Sequence, residues 1–282
     1  NFADGQTIPV GANVTKLLSE MSAEEIFKNY VRLIGIGGIA MAGIIGIIRS
    51  SGIIKQAFML AVNEIVGGKQ KNKEQLRTQR DIPMSIIVTG IVVTMIIIFI
   101  FFLFGVVHNF IHAIVGLLIV MVIAFLFTTV AANAIAIVGT NPVSGMTLMT
   151  LILSSIIMVS VGLSGTAGMV AALIIGGVVC TALSMAGGFI TDLKIGYWIG
   201  SSPYKQESWK FLGTLISSIT VGGVIMILNK TYGFTGDNAL VAPQANAMAA
   251  VIEPMMSGKT PPWLLYIAGA VLSLILTMIG VP

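Results

Sequence analysis

Charge is what this chain has least of. Asp, Glu, Lys and Arg make up 9% of its 282 residues, against about 25% in an ordinary soluble domain. Residues 82–191, a run of 110, contain none of the four, which excludes a solvated surface over that stretch. Cysteine is nearly missing too. Cys180 stands alone inside an apolar run, so neither an intrachain disulfide framework nor a cysteine metal site can be built. There are two histidines, His108 and His112, four positions apart where one apolar run ends and the next begins. Histidines at such a boundary cap helices or meet headgroups more often than they hold a metal, so no metal site is expected. Also lacking is the period-two alternation that marks an outer-membrane barrel.

What fills the chain is hydrocarbon: 56% of the residues are hydrophobic. They lie in runs of about 20, the length a helix needs to cross about 30 Å of lipid. The expected fold is therefore an all-α polytopic membrane protein with about seven spans, at 31–48, 84–104, 111–131, 145–163, 167–187, 211–228 and 263–279. The net charge of +4 does not point to nucleic acid. Its basic residues concentrate in one short segment, where Lys69, Lys71, Lys73, Arg77 and Arg80 face only Glu74 and Asp81. The positive-inside rule makes that segment cytoplasmic. Seven spans then leave the N-terminus of this chain outside and the C-terminus inside. The weakly basic segment 192–210, with three Lys against Asp192 and Glu207, falls inside by the same count.

Punctuation between the runs is informative. The chain opens on Asn1 with a polar stretch of about 30 residues, and is expected to be a fragment or a processed piece. Ser22 followed by Glu25 fits a capping box ahead of the first span. Residues 53–66 read as an interfacial helix within a basic loop at 49–82. Small residues recur every fourth position in two spans: Gly38, Ala42 and Gly46 in the first, and Gly168, Ala172, Gly176, Cys180, Ser184 and Gly188 in the fifth. Such ladders allow close backbone contact between helices. The loop 230–262 carries a short apolar piece at 241–256, interrupted by Pro243, Gln244, Asn246, Glu253 and Pro254. It is too short to cross, which leaves a re-entrant or interfacial hairpin as its expected form.

The stretch 131–150, AANAIAIVGTNPVSGMTLMT, is polar and helix-breaking in the middle of the charge-free region. Pro142 removes a backbone donor and disfavours helical geometry at Asn141, while Gly139 and Gly145 free the chain. Two readings stay open: a loop at the membrane surface, or a helix interruption lining a wet pathway. On the second, Asn141, Pro142, Ser144, Gly145 and Thr147 are candidate substrate-binding residues, joined by Gln244 and Asn246 from the second interrupted piece. Few groups could take and give a proton. Asp192 and Glu253 are the candidates, because each adjoins an apolar segment where desolvation disfavours a charge. For Asp192 the competing reading is a surface partner of Lys194 or Lys205, and for Glu253 a solvated loop carboxylate.

Several stretches together resemble one family. TNPVSGMT at 140–147, DLKIGYWIGSSPYKQE at 192–207, APQANAMAAVIE at 242–253, RTQRDIP at 77–83 and NYVRLIGIGGIAMAGIIGIIRS at 29–50 are similar, in this order, to the oligopeptide transporter family, which includes the yellow stripe-like transporters. The resemblance covers nearly the whole chain. It implies a proton-coupled secondary transporter of small peptides or peptide-like metal chelates in a prokaryotic cytoplasmic (inner) membrane. Family members are roughly twice this length, so residues 1–282 would be a single transmembrane domain matching the C-terminal half. Expected partners are the substrate, protons, membrane lipid and the N-terminal half of the same transporter, with further copies of the chain left open; no cofactor and no nucleic acid is expected. A non-catalytic subunit of a larger membrane complex is the competing reading. An enzyme is disfavoured, since the apolar region offers no carboxylate pair and no Ser-His constellation.

The topology is testable directly. In intact cells a membrane-impermeant thiol reagent is expected to label a cysteine placed at Asp237 and to spare cysteines placed at Lys73 and Lys205. Labelling at Lys73 from outside would overturn the orientation.

Overall fold

Backbone amides in hydrocarbon must be satisfied within their own segment, which for apolar runs of this kind means helix. In a computed structural model, which describes residues 21–66, 76–139, 143–234, 243–258 and 262–280, every regular element among the described residues is helical. In chain order these are α1 (Ala23–Ile26), α2 (Arg32–Arg49), α3 (Ser51–Val66), α4 (Met84–Phe101), α5 (Phe110–Val138), α6 (Val143–Ser160), α7 (Gly165–Trp198), α8 (Pro203–Thr231), α9 (Pro243–Met256) and α10 (Trp263–Ile279). Five continuous helical stretches, 29–49, 84–107, 110–137, 165–198 and 203–231, are long and apolar enough to span a membrane. The two remaining expected spans are shorter apolar helices, Gly145–Ser160 and Trp263–Ile279. The chain is thus an all-α polytopic membrane protein.

The helix ends follow their local chemistry. Ser22 and Glu25 form the expected reciprocal cap: the Ser22 amide donates to Glu25 Oε2 at 2.9 Å and the Glu25 amide to Ser22 Oγ at 3.3 Å. A π-helical extension, Phe102–Val107, ends α4 at His108, whose φ of 54° is left-handed. Asn109 then caps α5 by accepting from the Ile111 amide at 2.9 Å. Two glycines close helical hairpins. Gly162, at φ 92°, lets the Leu163 amide reach the Met158 carbonyl at 2.9 Å between α6 and α7. Gly200, at φ 70°, lets the Ser201 amide reach the Gly196 carbonyl at 2.8 Å, and Pro203 opens α8. Both are left-handed caps of the kind that satisfies the last carbonyls of a helix.

At the centre stands α6, where six successive residues from Met146 to Thr150 and on to Leu151 are buried. Burial on all sides requires neighbours on all sides, and α2, α5, α7 and α9 supply them. The buried hydroxyls of α6 mostly turn inward on their own helix: Thr147 donates to the Val143 carbonyl at 2.7 Å, Thr150 to Met146 at 2.9 Å and Ser154 to Leu151 at 3.1 Å. The short α9 lies against this centre with Val251, Ile252 and Met256 buried. Met256 abuts Gly168 at the start of α7, while Met248, two turns earlier, packs against the core. From Met256 to Met248, α9 therefore runs along the core for about 12 Å of its axis.

Both small-residue ladders are used, each in two parts. In α2 the closest approach runs through Gly37 and Gly38 to α10: a Cβ on Gly37 would overlap the Tyr266 backbone, and one on Gly269 would overlap the Ile34 carbonyl. Gly46 looks instead at Val130 of α5, and Ala42 is exposed. In α7 the first half of the ladder, Gly168, Ala172 and Gly176, is buried, and a Cβ on Gly176 would stand 2.5 Å from Leu151 Cδ2. In the second half, Cys180 and Ser184 open into a cavity described below, and a Cβ on Gly188 would lie 3.7 Å from Lys210 Nζ.

These contacts separate glycines that must be glycine from those that need not be. Gly37→Ala is expected to abolish most folded protein, and Gly176→Leu likewise, because the obstacle is backbone in one case and a fully buried leucine in the other. Gly35→Ala, where nothing lies within 4 Å, should keep or raise stability, by up to ~1 kcal/mol from helix propensity. Detergent-solubilised yield and thermal midpoint would separate the three. A stable Gly37→Ala protein would mean that α2 and α10 do not meet here.

Candidate functional site

Around the two hairpins the helices part company. The first turns of α8 are held to the segment before α4: the Tyr204 amide donates to the Arg80 carbonyl at 2.9 Å, Glu207 Oε2 accepts from the Ile82 amide at 2.7 Å, and Arg77 donates to the Gly200 carbonyl at 3.1 Å. The Arg80 guanidinium lies 5.4 Å from the Tyr204 ring centre, a cation–π distance. Beyond this clamp α8 diverges, and none of its residues is buried. Small and hydroxyl side chains on the facing surfaces, among them Gly177, Thr181 and Ser184 on α7 and Gly213, Ser217 and Ser218 on α8, leave the space between them open.

The result is a cavity of about 1200 Å³ between α7 and α8, closed at the back by Thr147 and Leu151 of α6 and Met248 of α9. A smaller cavity of about 600 Å³ lies on the other side of the seam where α8 touches α7. Met185, Lys210 and Thr214 line both, and the Thr214 hydroxyl stands 3.7 Å from Met185 Sδ. The larger cavity is apolar at its back and charged at its mouth, where Lys210 Nζ donates to Asp192 Oδ2 in an ion pair. One turn further along α7 the Gln206 amide is pressed against Gly196, so closely that a Cβ there would overlap it. Gln206 Oε1 is buried and has no hydrogen-bond partner among the described residues.

The cavity gathers some of the residues singled out in the sequence and leaves others apart. Thr147 and Asp192 line it. Gly145 faces α2, where a Cβ would lie 3.0 Å from Ile39 Cγ2. Asn246 and Glu253 are exposed on α9, outside the lining, although Met248 on the same helix is within it. Asn141 and Pro142 lie outside the described residues, as do the side chains of Ser144 and Gln244. Asp192 pairs with Lys210 and with neither Lys194 nor Lys205; Lys194 stands 5.5 Å from the rings of Tyr197 and Trp198. His112 puts a ring nitrogen 3.2 Å from the Val161 carbonyl, a helix-end contact. Among the described residues no three His, Cys, Asp or Glu side chains come together as a metal site.

Gln206 and Lys210 were not singled out by sequence reasoning, yet a signal for both was there. In an antiparallel hairpin, residues equidistant from the turn face one another. Asp192 and Lys210 each lie nine positions from Ser201, and Gly196 and Gln206 each five. Recognising Gly200 as a helix stop and Pro203 as a helix start is enough to pair them.

No solved structure matches the chain. A "Putative oligopeptide transporter" of Haemophilus influenzae is 26% identical over 158 residues, which cover 50% of this chain and 25% of that protein. The model of the OPT oligopeptide transporter protein family matches residues 5–282. With nearly its entire length matched, the chain belongs to the OPT oligopeptide transporter family.

Proposed function

We propose that this chain forms the C-terminal half of a proton-coupled secondary transporter that carries small peptides or peptide-like metal chelates across a prokaryotic cytoplasmic membrane, with the cavity between α6, α7 and α8 as part of the pathway. The observation that carries this reading is the cavity itself: a space of about 1200 Å³ at a break between apolar helices, with hydroxyls along its walls and one ion pair at its mouth. A peptide needs donors and acceptors in such a place, and Thr147, Thr181, Ser184 and Ser217 supply hydroxyl oxygens along it. Asn141 lies two positions before the α6 start in sequence, where helix-end amides and its own side chain add donors for carbonyl or carboxylate oxygens. Transport by such a site requires no catalytic residue.

Proton coupling falls to Asp192. Protonation neutralises its carboxylate, and Lys210 then loses its partner at the cavity mouth. Because the pair joins α7 to α8, its loss frees the one charged link across the seam among the described residues and allows the two helices to separate. Glu253, exposed on α9, is the second candidate. The exposed apolar faces of α4 and α8 suit lipid, the N-terminal half of the transporter or a further copy. The basic loop lies in the cytoplasm, and the N-terminus of the chain outside.

Reconstituting the complete protein in liposomes tests this. A peptide gradient should drive proton movement, and Asp192→Asn should uncouple the two, abolishing peptide-driven proton flux while peptide exchange across the membrane continues. Proton flux that is unchanged in Asp192→Asn would remove Asp192 from the coupling step. For Asn141→Ala, loss of one substrate hydrogen bond predicts about a fivefold weaker affinity at unchanged folded yield; unaltered uptake per folded protein would place Asn141 in a plain connecting loop.

A further inference from the structure

Among the described residues Gln206 is the one cavity-lining side chain with a buried polar atom that lacks a hydrogen-bond partner. Its Oε1 has no partner, and its amide is seated on Gly196 at the cavity's charged end, one turn from Lys210. A polar atom left in this state is destabilising, because the hydrogen bonds it made to water in the unfolded chain are not replaced. Gly196 makes the seat possible, since any side chain there would displace the amide. Position therefore matters at both ends of the contact, while no hydrogen bond among the described residues accounts for the choice of an amide.

From this we infer that Gln206 is a specificity-determining residue that reads a peptide group of the transported molecule. The inference rests on the transport reading above and narrows its substrate class to molecules with peptide bonds. A glutamine amide carries a donor and an acceptor side by side, and so does a peptide bond, so the two pair in both directions. The terminal torsion of glutamine is broad, and turning about it brings Oε1 from Gly196 to the cavity without moving the rest of the side chain. A substrate N–H then satisfies the orphaned oxygen while the side-chain Nε2 donates to the substrate carbonyl. A molecule without a peptide N–H leaves the oxygen unpaired, and is discriminated against for that reason.

The test compares wild type with Gln206→Met, which keeps the length and removes both polar atoms, in the complete transporter. Uptake of trialanine is measured beside that of its analogue in which one amide N–H is replaced by an ester oxygen. Wild type should show a KM about tenfold higher for the ester than for the amide. Gln206→Met should show nearly equal KM values for the two, both near the wild-type ester value, and an unchanged or higher thermal midpoint, since an unsatisfied group has been removed. Equal discrimination by both proteins overturns the assignment, and so does a lowered midpoint with uptake reduced only in proportion to folded protein, which is the mark of a packing role. Wild type that discriminates neither substrate overturns it as well. Failure of the transport reading looks different: wild type takes up neither compound nor any longer alanine peptide, and the assignment falls with it.

Discussion

Helices surrounded by lipid gain little from burying apolar side chains against one another, because the lipid tails are just as apolar. What holds this bundle is close approach of backbones, and the glycines decide where it occurs. Gly37 and Gly269 let α2 and α10 come within backbone contact, and Gly176 admits Leu151 of α6 into the wall of α7. These contacts fix α2, α6, α7 and α10 as a frame, with α9 filling the remaining side. The helix α8, which like α4 has no buried residue, is tied at its first turns to residues 80–82 ahead of α4 and at Lys210 to Asp192 of α7. A tight frame and a loosely seated helix beside it are what leave the cavity between them.

Much of this was legible because apolar runs of span length carry a strong and unambiguous signal. The seven expected spans have helical counterparts, and the short apolar piece near Met248 and Met256 is a helix too short to cross. The capping box at Ser22 and Glu25 was readable from two residue types at one spacing. Ladders were harder. A four-residue repeat in α2 names a face in an ideal helix, but the face that meets α10 runs through Gly37 and Gly38, and Gly46 turns to α5. Which neighbour a small residue admits depends on how helices cross, and a one-dimensional spacing does not contain that.

The candidate site was legible in its chemistry and less so in its pairings. Thr147 and Asp192 come from two stretches 45 residues apart in the chain, yet line one cavity. The competing reading of Asp192 paired it with Lys194 or Lys205, the nearest cations in sequence. Lys194 sits only two positions away on α7 and lies over Tyr197 and Trp198, and Lys205 is on the turn side of α8. The hairpin brings Lys210 opposite instead. Nearness in sequence was a poor guide once a tight turn had folded one helix back along another.

The length of α7 has a consequence of its own. Its 34 residues extend about 50 Å, well beyond the ~30 Å of bilayer hydrocarbon. Between Gly176 at the cavity floor and Asp192 at its mouth the helix rises by about 24 Å, so one continuous wall runs from the oily interior toward the headgroups. Anything held against that wall experiences a graded dielectric. A charge beside Asp192 has the Lys210 ammonium and the Gln206 amide within the same lining, and holding one grows more costly toward Leu151, where the lining is apolar. If the cavity serves as the proposed pathway, a cargo moving along α7 is sorted by how well it can cancel its own charge before it reaches the floor.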